Sequence, residues 1–230
     1  MQLLSEERVT ELDPVFGPMG IDAGREIWGM PGLTMREKTV LLVAADVCVP
    51  EFGLPFELHI GMGLNRGGMS VEDFREILRH IAPDAGFNIV AMAFQRLIEI
   101  AGKLGHDTGT SATAGQAAAE HGLELSALRQ LQELDLSFSE QVDRQAKLLW
   151  ERPGLSRRER CFATFAVLVI GGTLGVPFES HVARCFASKL EATDLQAAIR
   201  ILAEFSVPKA WEALIALRQI GDPSPRPQGE

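Results

Sequence analysis

Two long apolar runs stand out along the chain, "TVLLVAADVCV" at 39–49 and "CFATFAVLVI" at 161–170. By composition either fits a buried strand, the second more so. Each is preceded by a hydroxyl-x-x-Glu pattern, Thr34 to Glu37 and Ser156 to Glu159. In such a capping box the hydroxyl accepts from the N3 amide and the glutamate reaches back to the cap. These caps, with the alanines of the first run, predict buried helices. Pro55 and Pro177 predict the first turn of a short helix carrying His59 or His181, because the N–H that proline lacks has no helical partner there. Ser70-x-x-Asp73 and Thr193-x-x-Gln196 predict the caps of a third helix, with Phe74, Leu78 and Ile81 or Leu195, Ile199 and Leu202 on its inner stripe. A fourth helix is expected from about Phe87 and from about Pro208.

The pattern occurs twice because the residues do. Glu11, Leu12, Asp13 and Phe16 match Glu133, Leu134, Asp135 and Phe138 at an offset of 122. The same offset relates Trp28, Pro31, Gly32 and Leu33 to Trp150, Pro153, Gly154 and Leu155. It runs on to His59 and His181 without a gap, after which the copies drift by a residue or two. The expected organisation is all-α, with tandem repeats at 11–100 and 133–220. A glycine- and threonine-rich linker is expected at 101–132, its later part, "AAAEHGLELSALRQLQ", forming a helix. The tail at 221–230, "GDPSPRPQGE" from Gly221, is expected to be disordered.

Composition narrows the functional classes. With 22 basic against 31 acidic residues, net −9, and no basic run, nucleic acid is not an expected partner. The N-terminus lacks a basic start and an apolar core, and no apolar run approaches the roughly 20 residues of a membrane span. A cytoplasmic protein with no membrane partner is the expectation. Three cysteines, none in a C-x-x-C pair, suggest neither a disulfide framework nor a thiolate metal site.

"WERPGLSRRER" at 150–160, its spacing to "ESHV", and "ELHIGMGLNRGGMSVEDFREILRHIAPDAG" at 57–86 resemble the carboxymuconolactone decarboxylase family, which shares the alkylhydroperoxidase D-like helical fold. The resemblance implies decarboxylation of a small carboxylated lactone or enol acid without organic cofactor or metal. It also implies a homo-oligomer, here a trimer or dimer of two-repeat chains. The peroxidase branch of that fold uses a C-x-x-C pair before the histidine; Phe52 and Pro55, or Leu174 and Pro177, stand there instead. Isomerisation or cyclisation of a related metabolite, or ligand binding without turnover, remain open alternatives.

Losing CO₂ leaves electrons that must be held as an enolate and then protonated at carbon, so the reaction asks for a general acid, an anion contact and a dry pocket. The resemblance places His59 and His181 at the family's histidine. His59 is the leading candidate acid, and a core histidine bonded to a carbonyl is the competing reading. Glu37 lies on an inward stripe from which a carboxylate can orient an imidazole, although its capping box explains it equally well. His80 occurs only in the first copy, whereas Arg152, the arginine before Pro-Gly-Leu, occurs only in the second. This complementary loss suggests a site where unlike repeats meet, with Arg152, Arg158 and Arg36 as carboxylate-binding candidates and Trp28 and Trp150 as pocket walls. Salt-bridge roles for the arginines explain them as well. Two departures from the family pattern, Pro83-Asp84 before Ala85-Gly86 and Gly61 two residues after His59, point to a remodelled pocket.

Overall fold

The computed structural model describes residues 3, 6–50, 52–109, 125–150 and 152–221. Among them are twelve α-helices and no strand. The order is α1 (Glu6–Thr10), α2 (Phe16–Gly29), α3 (Met35–Cys48), α4 (Leu54–Asn65), α5 (Val71–Ala85) and α6 (Phe87–Lys103), followed by α7 (Leu125–Leu134), α8 (Leu136–Trp150), α9 (Arg157–Gly171), α10 (Val176–Ala187), α11 (Ala192–Leu202) and α12 (Val207–Gly221). The succession α2 to α6 recurs as α8 to α12. Of the expected linker, 101–103 finish α6 and 125–132 lie in α7, while 110–124 fall outside the described residues. So does the expected disordered tail beyond Gly221.

Both apolar runs are helices, α3 and α9, and both capping boxes form. The Thr34 hydroxyl accepts from the Glu37 amide, and the Glu37 carboxylate accepts from the Thr34 N–H at 2.8 Å. Ser156 and Glu159 repeat the pattern, the return bond being 2.6 Å. A helix capped this firmly can be apolar on every face only if it is buried on every face. That holds here, for residues 37–47 of α3 are all buried, and so are nearly all of 159–170 in α9. Ser70 and Asp73 cap α5 as expected. The fourth cap differs, because α11 begins at Ala192 and it is Asp194 whose carboxylate accepts from the Glu191 N–H, at 2.8 Å. Thr193 and Gln196 are inside that helix. Asp194 wins because the same carboxylate also receives both terminal nitrogens of Arg158, at 2.8 and 2.9 Å.

The two central helices pack on each other, and each also carries the third helix of the opposite unit, α5 on α9 and α11 on α3. One set of reciprocal ion pairs fastens this crossing. Arg36 Nε donates to Glu159 and Arg36 Nη2 to Asp73 at 2.8 Å. In mirror fashion Arg158 Nε donates to Glu37 at 2.5 Å and its terminal nitrogens to Asp194. The arginine candidates at 36 and 158 therefore sit at the junction of the units, partnered by the very carboxylates that cap α3 and α9. Ahead of each central helix, Gly32 and Gly154 hold φ of +97° and +102°, a left-handed turn that other residues adopt only under strain. Among the described residues no helix is long and apolar enough to cross a membrane, and no cluster of potential metal ligands occurs.

Candidate functional site

Crossing α5 and α11 over to the opposite unit gives each histidine a mixed neighbourhood. His59, on α4, has Trp28 from α2 and Asp46 from α3, but also Phe205 just beyond α11. His181, on α10, has Trp150 from α8 and Cys161 from α9, while His80 and Asp84 reach the same place from α5. Both histidines are buried, at 5% and 6% exposure. Their chemistry is opposite.

Around His59 the charges are paired and closed in. Its Nδ1 lies 2.8 Å from Asp46 Oδ2, and Asp46 is only 3% exposed. Burial works against a charged imidazole, yet the Asp46 carboxylate outweighs it and lifts His59 to about 9, with Glu204 adding to the effect. His59 is thus an imidazolium at neutral pH, locked to a carboxylate. Glu37 does not take that role; its carboxylate serves the cap and Arg158.

Around His181 there is space. A cavity of about 700 Å³ is lined by His80, Asp84, Trp150, Thr164, His181 and Arg184, with apolar walls from α7 and α8. At the positions matching Asp46 and Met62 the second unit has Leu168 and Arg184. The imidazole has therefore lost its carboxylate and gained a cation. His181 Nε2 donates to the Cys161 carbonyl at 2.8 Å, and burial with the nearby Arg184 pushes its pKa down to about 4. It is neutral at pH 7. The Arg184 guanidinium lies over the Trp150 ring, 4.3 Å from its centroid, a cation–π contact that also fixes the direction of the arginine.

His80 is neutral as well, and its ring is fully engaged. Burial and the adjacent Arg160 guanidinium push its pKa well down. Nε2 faces the Arg160 carbonyl at 3.2 Å, so it carries the proton, and it also meets the Thr164 hydroxyl at 3.1 Å. Nδ1 receives Arg160 Nη1 at 3.3 Å. Thr164 passes the chain on, donating to Asp84 Oδ2 at 3.2 Å. Asp84 is open to solvent on the cavity wall, yet enough protein surrounds it that burial pushes its carboxyl up to about 6. Among the described residues the cavity thus has one carboxyl of raised pKa from the first unit, bonded by a hydroxyl that also meets an imidazole, and one cation from the second.

Of the residues singled out from sequence, His80, His181 and Trp150 line this cavity, and Trp28 and His59 meet in the opposite unit. Arg152 stands behind the cavity, its Nε 3.0 Å from both oxygens of Glu76. Asp46, Asp84, Thr164 and Arg184 were not singled out as site residues. Each had a signal: Asp46 and Thr164 are polar residues inside apolar runs, Arg184 lies one helical turn after His181, and Asp84 replaces an aromatic.

No curated protein matches the chain. Residues 138–219, which span α8 to α12, match the family model described as "Carboxymuconolactone decarboxylase family". The likeness of the first unit to it rests on the 122-residue offset and the matching order of helices. The likeness to the carboxymuconolactone decarboxylase family is thus carried by residues 138–219, and the all-helical fold is in keeping with it.

Proposed function

We propose that the cavity at the junction of α5, α8, α9 and α10 is the active site of a cofactor-independent enzyme. It decarboxylates a carboxylated lactone or enol acid. The observation that carries this reading is the pairing of Asp84 with Arg184 across one cavity, each contributed by a different unit. Arg184 holds the acidic end of the substrate. When the bond to the departing CO₂ breaks, its electron pair becomes an enolate whose charge faces that cation, and the Asp84 carboxyl delivers a proton to carbon. Thr164 and His80 orient the carboxyl. The neutral His181 accepts no proton readily and keeps the wall polar without adding charge.

The test is CO₂ release from a panel of carboxylated lactones and enol acids, with product identified by NMR. Asp84→Asn keeps the shape of the side chain and is expected to lower kcat by about 10²-fold. Wild-type rates in that variant would remove Asp84 from the reaction, and conversion without CO₂ release would assign an isomerase. Self-association belongs to the same reading. Val207, Trp211 and Ile215 form an exposed apolar stripe on α12, at 65%, 67% and 49% exposure. Sedimentation of Trp211→Glu is expected to show a smaller particle than the wild type; an unchanged one would place the contact elsewhere.

A further inference from the structure

We propose that the ligand of the cavity is a largely apolar acid bearing a single negative charge. Its carboxylate is held by Arg184 over Trp150, and its body lies on the wall formed by Leu131, Leu134, Phe138 and Val142. The inference rests on reading this cavity as the active site and adds the substrate class to it.

The charge count limits the ligand first. Among the described lining residues Arg184 is the one permanent cation, since His80 and His181 are held neutral by burial and their cationic neighbours. Asp84 is the one carboxyl among those described residues. A single carboxylate satisfies Arg184. A second would lie on a largely apolar wall with no cation for it among the described lining residues, which is costly. The walls then define the body. At about 700 Å³ the cavity lies within the ordinary range for small-molecule sites and exceeds what a short diacid fills. Leu134, Phe138, Val176 and Phe87 line it while 80%, 50%, 46% and 61% exposed, so apolar surface on several sides stands uncovered until a ligand covers it.

Calorimetric titration of the whole chain with decanoate, decanol and decanedioate separates the terms. Decanoate is expected to bind at least tenfold more tightly than decanedioate. Arg184→Met is expected to reduce decanoate to the affinity of decanol, and Arg184→Lys to retain part of the preference. Circular dichroism melts check that both variants fold. Decanedioate binding as tightly as decanoate, or Arg184→Met and Arg184→Lys both leaving decanoate unchanged, would overturn the assignment. So would absence of decanoate binding together with a dimer that Leu134→Glu converts to monomer, which would mean that a second copy covers the wall. Turnover with a preference for diacids would sink this inference alone. Selective decanoate binding without turnover of any acid would instead sink the enzymatic reading.

Discussion

His59→Ala is expected to destabilise the protein by about 3–5 kcal/mol, the usual cost of removing one partner from a buried ion pair. The loss comes less from the missing ring than from what stays behind. Asp46, 3% exposed on a helix buried on all sides, keeps a carboxylate that burial already disfavours and that loses the cation paired with it. For a chain of this size the thermal midpoint should fall by about 10 °C. Adding Asp46→Asn to His59→Ala should recover a large part of that, since the stranded charge is then gone. Two single losses that simply add would refute the pair. The pH dependence supplies a second check. The folded pKa of His59 is raised from an ordinary 6.5 to about 9, so its contribution is full below pH 6.5 and is lost as the pH rises through about 9. Melts recorded from pH 6 to 9.5 should decline over that window, and Asp46→Asn should flatten the decline.

Glu76→Gln is the second substitution with a large expected effect, about 3 kcal/mol, although the side chain keeps its size. Glu76 is 2% exposed and accepts from Arg160 at 2.9 Å and from Arg152 at 3.0 Å. Arg160 is wholly buried, and its other nitrogen braces His80. Neutralising the glutamate leaves the wholly buried Arg160 and the partly covered Arg152 without their shared carboxylate. The damage should extend to the cavity, since His80 and Thr164 hang on Arg160 and in turn hold Asp84. Chemical denaturation measures the first effect. The second should show as a lower affinity for decanoate in protein that is still folded. Glu76→Leu combined with Arg160→Leu, which removes the charges together, should be more stable than Glu76→Leu alone; equal stability would contradict the charge argument.

Much of the helical layout could be read from local rules. Caps at Thr34, Ser156 and Ser70, the prolines opening α4 and α10, and the stripes of α5 and α11 depend on residues three or four apart, and all appear where that spacing puts them. The exception at Thr193 is instructive. Its competitor Asp194 gains from Arg158, a partner 36 residues away that no local pattern reveals. The site was legible only in part for the same reason. The idea of a composite site follows from His80 and Arg152 occurring in different copies, but Arg152 holds Glu76, while the cation in the cavity is Arg184. Arg36 and Arg158 had the right chemistry for a carboxylate ligand and found carboxylates within the protein. The role of Asp46 depends on α3 packing against α4, and that of Asp84 on α5 crossing to the other unit. Both are facts of packing.

That crossing has a consequence for what such a molecule can become. Two identical subunits related by symmetry must place the same side chains in both of their pockets, so any change made for chemistry is also made where rigidity is needed. Here the halves are joined and unlike. One interior has been given over to a permanent internal salt, and the other has opened into a chamber whose lining carries both a carboxyl and a cation. The rigid interior and the open one can therefore be adjusted separately, by changes in different halves of the same polypeptide.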